Sequence, residues 1–332
     1  MIEAKTQNSL PDPKYWGNWS TEQAASAGPP IFIFGITPRS GTNFLYRLIR
    51  NHPDCKPGVA WEDHLLRHAD LLQEYVTRTK EHWRPNDPTS KIDSERLLHQ
   101  ALGLGLQAFL RLDEENTRYT HTHAPTPLRE DSEDVRRTVT KTPLTHNLAL
   151  FPRLFPNAKL LIIVRDGRDV TVSGMRTFGW SLEAGARKWA QGARAILDFL
   201  DEPASQKVDH MVIRYEDLNT QTERVLRDVL PFLDLSPGMY DFSALDEVPV
   251  VGSSTHTGDQ SEVHWKGVEK TPDFNPHRRW SHWKSYEHSR FNWIAEDYLS
   301  AFDYTPFIQH ERSRYYWHAR NLFQDLLYTI KS

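Results

Sequence analysis

The segment PPIFIFGITPRSGTNFLYRLIR, residues 29–50, constrains the fold more than any other part of the chain. Ile31 to Ile36 is an unbroken apolar run behind two prolines. A strand with one wet face alternates polar and apolar residues. A run without polar members belongs instead to a strand covered on both faces, central in a mainly parallel sheet. Beyond the turn Pro38-Arg39-Ser40-Gly41-Thr42, the residues Phe44, Leu45, Leu48 and Ile49 share one helix face, and His52-Pro53 ends the helix. Strand, glycine turn and helix together make a βα unit.

Two further buried runs extend the sheet: KLLIIV at 159–164, and HMVIRYEDL at 210–218, which leads into an amphipathic helix through Leu233. Residues 64–112 carry helical spacing, from Leu65, Leu66, Ala69, Leu72 and Val76 to Leu106, Phe109 and Leu110. Residues 113–134 are polar and charged and read as a solvated loop, whereas 241–284 are too long and aperiodic for an idle connection in a compact domain. No internal repeat or linker interrupts the chain. The expected fold is therefore α/β, with helices flanking a central, mainly parallel sheet. Residues 1–28 form an N-terminal extension, and 29–332 form one domain with a helical insertion at about 64–138. The stretch 315–330 has helical apolar spacing, suited to packing on the core or to joining two subunits in a homodimer.

Composition narrows the function. Acidic residues number 44 against 40 basic ones, a net charge of −4, so bulk attraction to nucleic acid or an anionic membrane is excluded and any anion site is local. Cys55 is the single cysteine, which rules out an intramolecular disulfide and a cysteine-based zinc site. It also fits a reducing compartment. With no signal or membrane-anchor pattern in the first 28 residues, the expected location is cytoplasmic.

A helix starting directly after a strand presents unpaired N–H groups and a positive dipole end, which together favour a phosphate or sulfate. Gly41 permits close backbone approach, Ser40, Thr42 and Asn43 add donors, and Arg39 adds a forked cation. An ordinary βα turn with a capping hydroxyl is the plainer alternative. The turn is not a Walker loop: in GITPRSGTN the basic residue precedes the glycine and no lysine follows it, which disfavours the usual lysine and magnesium arrangement of a nucleotide kinase.

PRSGTNFLYRLIRNHPD resembles the 5′-phosphosulfate loop of sulfotransferases that use 3′-phosphoadenosine 5′-phosphosulfate (PAPS), in particular the tyrosylprotein and bacterial branch. A second piece is similar to the family's 3′-phosphate motif: LIIVRDGRDVTVSG, in which Arg165 closes a strand and Ser173 follows on the next helix. Arg168 and Asp169 between them read equally well as residues that cap and charge that helix. The resemblance implies a P-loop-type fold and PAPS as donor, with adenosine 3′,5′-bisphosphate as product and no metal. The loop residues Arg39, Ser40, Gly41, Thr42, Asn43 and Phe44 would bind the donor together with Arg165 and Ser173. More faintly, NPHRRWSHWKSYEH resembles the loop covering the adenine and 3′-phosphate, with Arg278 and Arg279 as anion ligands and Trp280 or Trp283 stacking on the purine. Ser254 and Thr255 resemble a donor-contacting Ser-Thr segment.

For chemistry the resemblance assigns Lys141, in TVTKTPLTH, to the charge developing on the leaving phosphate, with Arg39 beside it. The histidine that cytosolic small-molecule members carry two residues later is Pro143 here. Glu62, in HPDCKPGVAWEDH, matches the glutamate base of the other branch, with Asp63 adjacent as a second candidate and His121 and His123 as loop alternatives. The HxH pair could also hold a metal, but no further ligand pattern accompanies it. Arg214 and Glu216 of RYEDL read as fixing a turn. The sequence thus points to a sulfotransferase acting on a hydroxyl or amine. Its acceptor, roofed by residues 64–138, is a small molecule, carbohydrate, lipid or peptide. A P-loop phosphotransferase and a non-catalytic anion-binding protein are the rivals.

Overall fold

The five residues Ile31–Gly35 form strand β1, and all of them are buried. The computed structural model describes residues 28–111, 136–248, 250–251, 267–268, 276–308 and 312–331. After β1 come α1 (Thr42–Arg50), β2 (Cys55–Pro57), α2 (Ala69–Lys80), α3 (Ser94–Leu110), β3 (Arg137–Thr142), the short α4 (Phe151–Leu154) and β4 (Lys159–Val164). The chain continues through α5 (Gly167–Phe178), α6 (Leu182–Asp201), β5 (His210–Arg214), α7 (Tyr215–Thr220) and α8 (Thr222–Phe232). The described part closes with the small pair β6 (Val250–Val251) and β7 (Gly267–Val268), then α9 (Ser285–Ala301) and α10 (Arg314–Lys331).

The main sheet has the order β2-β3-β1-β4-β5, and each pairing is parallel. Strand alternation divides the apolar side chains between two faces. Ile31 and Ile33 join Val139, Leu161, Ile163 and Ile213 against α1 and α8, while Phe32 and Phe34 join Leu160, Ile162 and Val164 against α6 and α9. On the second face Phe32 stacks on Phe155 at 4.8 Å and meets Phe151 edge-on at 5.2 Å. The molecule is therefore a three-layer α/β fold with helices over both faces of its sheet, as the unbroken run in β1 requires.

Register brings the chemistry together. Phe34 pairs with Thr142 on one side and Ile162 on the other, and Val164 pairs with Arg214, so β3, β1, β4 and β5 end along one edge. Ligands of parallel sheets bind outside that carboxyl edge. The segments 69–80 and 94–110 are helical as expected. Strands β2 and β3 lack an apolar run. All six residues of β3 are buried although five are Arg, Thr or Lys. Most of their polar groups are paired by residues distant in the sequence, while Thr138 Oγ1 and Arg137 Nη2 have no partner among the described residues. Arg137 donates to the carbonyls of Pro29 and Leu233, and Thr140 and Thr142 donate to Asp63. Among the described residues no helix is long and apolar enough to cross a membrane, and no cluster of three or more His, Cys, Asp or Glu could hold a metal.

Candidate active site

The loop between β1 and α1 is anchored at Ile36, whose N–H donates to the Ile163 carbonyl at 3.0 Å, and it then climbs through two left-handed residues, Arg39 (φ 79°) and Gly41 (φ 102°). Only glycine fits the second. The backbone conformation there is costly for an L side chain, and a Cβ would run into the Tyr215 ring. Gly41 begins α1 without a side-chain cap, and the first turn holds no carboxylate, so its N–H groups and dipole are left for an anion. Ser40 is wholly buried and its hydroxyl covers Gly35; that Oγ and Asn43 Oδ1 lack hydrogen-bond partners among the described residues.

Arginines crowd the mouth of this loop. Arg165, at the end of β4, donates from Nη1 to the Arg39 carbonyl at 2.9 Å and from Nη2 to the Pro276 carbonyl at 2.6 Å, with the Tyr215 ring 4.5 Å from its guanidinium. Arg39 in turn donates from Nε to Ser173 Oγ at 3.0 Å. Burial, then the charges of Arg165 and Arg279, push Arg39 down to about 10; burial and Arg165 hold Arg279 at about 10 as well. Three mutually repelling guanidiniums, one buried and two half-buried, make this edge a candidate anion site.

The carboxylates nearby serve the scaffold. Asp166, not Asp169 or Arg168, caps α5 by accepting from the Arg168 N–H, and it also receives the Arg168 side chain. Asp169 instead accepts the N–H groups of Arg278 (3.0 Å) and Arg279 (2.6 Å), fastening the 276–282 segment over the pocket. Burial lifts its carboxyl to about 6 against the pull of Arg165. Glu216 takes the Asp166 N–H and the Tyr304 hydroxyl, so it braces the β4 to α5 turn.

Beside the loop, Lys141 on β3 is fully buried and pairs with Glu62 Oε1 at 2.9 Å, under the ring of Trp61 at 4.6 Å. Burial lowers its proton affinity, and Glu62 opposes that effect. The neighbouring carboxylates differ. Asp63 accepts from the hydroxyls of Thr140 (2.6 Å) and Thr142 (2.9 Å) and from the Leu65 N–H (2.9 Å), while Glu62 meets Lys141 and, at 3.4 Å, His64.

Arg39, Ser40, Gly41, Thr42, Asn43, Arg165, Ser173 and Arg279 thus gather at one edge, with Glu62 and Lys141 alongside, and Phe44 packs in the core under α1. The two motifs are joined through the Arg39–Ser173 contact. Trp280 carries the Arg168 guanidinium 3.9 Å over its ring, and Trp283 belongs to the core. Arg278 contributes its backbone to Asp169. Ser254, Thr255, His121 and His123 lie outside the described residues. Tyr215, the platform for Arg165, was missed within RYEDL; an aromatic directly after a strand in a βα turn was its available signal.

A parallel sheet with a basic, uncapped helix N-terminus at its carboxyl edge defines the P-loop-type α/β class. Within it, this chain belongs to the sulfotransferase family, whose model matches residues 29–238. It is 25% identical over 219 residues to the protein-tyrosine sulfotransferase of Drosophila melanogaster, covering 62% of this chain and 38% of the fly protein. With protein-tyrosine sulfotransferase 2 of Gallus gallus it shares 26% identity over 218 residues, 63% of this chain and 52% of that one. The chain therefore spans about half or less of the length of these relatives. Among solved structures, the sulfotransferase domain from the curacin biosynthetic pathway is 20% identical, covers 83% of this chain and 98% of its own, and has a TM-score of 0.44.

Proposed function

We propose that the protein transfers a sulfuryl group from PAPS to a hydroxyl or amine, without a metal. The carrying observation is the trio of buried Arg165 and half-buried Arg39 and Arg279 at the mouth of the Gly41 turn, whose mutual repulsion a doubly phosphorylated nucleotide would relieve. The unpartnered Ser40 Oγ, Asn43 Oδ1 and Arg165 Nε are polar atoms that suit such a ligand. Arg165 and Ser173 would hold the 3′-phosphate, and Arg39 with the α1 N-terminus the 5′-phosphosulfate.

The donor supplies an activated sulfuryl group on a phosphate that can leave. Glu62 stands as general base, taking the proton from the acceptor as its oxygen or nitrogen bonds to sulfur. Lys141, 2.9 Å from Glu62, counters the charge that returns to the phosphate oxygen, with Arg39 assisting. Asp63 is committed to three donors, which supports Glu62 as the base. Cys55 has no part in this: it is buried, with its thiol pushed up to about 12 by burial.

Thermal unfolding with adenosine 3′,5′-bisphosphate tests the reading. A ligand at a hundred times its dissociation constant stabilises by about 2.7 kcal/mol, a rise of several degrees. ADP, with or without magnesium, should do much less; equal responses would refute the assignment of donor.

A further inference from the structure

A cavity of about 370 Å³ opens beside the loop, away from the arginine trio, and is large enough for a small organic molecule. Thr37 and Pro38 form one wall, Leu144 and Thr145, just past Lys141, form the next, and Lys188 and Gln191 of α6 border it. Arg39, Glu62 and Lys141 do not themselves line it, but an occupant would touch the loop that carries Arg39 and the segment just past Lys141, and so would lie next to a donor held by the loop.

Its chemistry is specific. Trp180 lines the cavity, and its ring is fixed because Gly174 packs so closely that a Cβ there would collide with it. Six of the twelve lining residues are polar. A phenol offers one hydroxyl and suits an apolar slot, whereas a sugar ring offers an apolar C–H face to an indole and hydroxyls around its rim. The charge around the cavity is positive. Lys188 Nζ lies over the Trp180 ring, 5.8 Å from its centroid, and His146, another lining residue, is made harder to protonate by burial and by the charges of Arg67, His68 and Lys188. No carboxylate is among the described lining residues, and Asp70 stands behind one of them, accepting from Asn147 Nδ2 at 3.0 Å.

We propose that this cavity, lined by the loop, residues 144–147, Trp180 and α6 rather than by the 64–111 helices expected to roof the acceptor, is the acceptor subsite and that it takes a carboxylate-bearing saccharide, a uronate ring lying on Trp180 with its carboxylate toward Lys188. The chemistry of the inference rests on the sulfuryl-transfer reading, but binding alone decides it.

Calorimetric titration would use uronate-containing trisaccharides of differing ring stereochemistry, maltotriose as the neutral comparator, and an acidic tyrosine peptide. At least one uronate should bind about tenfold tighter than maltotriose. Lys188 is exposed, so Lys188→Ala should fold normally and erase that preference; Trp180→Ala should weaken both sugars. Retention of the adenosine 3′,5′-bisphosphate thermal shift by each variant checks that it is folded. The inference fails if no uronate binds, if maltotriose or the peptide binds better, or if Lys188→Ala leaves uronate affinity unchanged. Uronate binding without a bisphosphate shift in the wild type would sink the donor assignment and leave this subsite standing. The reverse result would remove only the subsite.

Discussion

Asp169 holds the roof of the anion pocket at a cost set by pH. Its folded pKa of about 6 lies above the ordinary 3.8, so the native state binds the proton more tightly than the unfolded chain. That contribution is complete below about 3.8 and is lost as pH rises through about 6. Asp169→Asn should therefore flatten the decline in stability between pH 4 and 7, an effect of at most about 3 kcal/mol. Urea midpoints of both proteins across that range measure it, and parallel profiles would refute the assignment. The adjacent pair Glu62 and Asp63 separates by role. Glu62→Gln should lower kcat by roughly a hundredfold or more while leaving the bisphosphate-induced thermal shift intact. Asp63→Asn should instead lower the melting temperature, because an NH2 donor replaces one of the two oxygens that accept from the Thr140 and Thr142 hydroxyls. Steady-state kinetics and melting curves on the two variants distinguish them. The Gly41 turn was legible in sequence because its chemistry is local. Choosing between Glu62 and Asp63 was not, since that depends on which carboxylate meets the threonines of β3 across nearly eighty residues of chain.

Elements that state their burial through apolar runs were legible: β1, α1, β4 and β5 fall where the patterns put them. RYEDL was read as fixing a turn, and the strand does end at Arg214; what the reading lacked is that Tyr215 opens a helix there, which places its ring under Arg165. Strand β3 was visible only as the Lys-Thr-Pro motif, because a central strand built from threonines, an arginine and a lysine is paired by tertiary hydrogen bonds that no periodicity displays. Helix α6 supports the loop by close approach. Gly192 lies so near the Ile36 carbonyl that a Cβ would overlap it. Gly192→Ala should push α6 off the loop base, lowering stability by about 1–3 kcal/mol and weakening bisphosphate binding in the same variant. Unchanged affinity alongside lost stability would show that the loop does not depend on α6.

At the scale of the whole molecule the C-terminal helix is held by charge as much as by packing. Its sequence suited either the core or a subunit contact. In the structure its outer residues Tyr315, Phe323, Leu326 and Ile330 are exposed, and Asp325 turns inward. Arg290, buried on α9, donates to both Glu183 oxygens at 2.6 Å and to Asp325 at 2.6 Å, and Arg187 bridges the same two carboxylates at 2.7 and 2.8 Å. Such a network joins residues more than a hundred positions apart, so single-sequence spacing gives no sign of it. Hydrogen bonds from the arginines outweigh burial and hold Glu183 and Asp325 below their ordinary carboxylate values, the opposite direction from Asp169. Their contribution is present above the ordinary values of 4.5 and 3.8 and is lost as pH falls through the depressed ones. Stability should therefore rise from pH 7 toward 5 as Asp169 takes its proton, then fall steeply below 4 as this cluster does. Glu183→Gln leaves Arg290 with one carboxylate in place of two, which should cost about 2–3 kcal/mol at pH 7 and remove part of the acid limb. The same variant should speed proteolytic cleavage between α9 and α10. An acid limb identical to the wild type's would show that α10 is held by its apolar contacts and not by these charges.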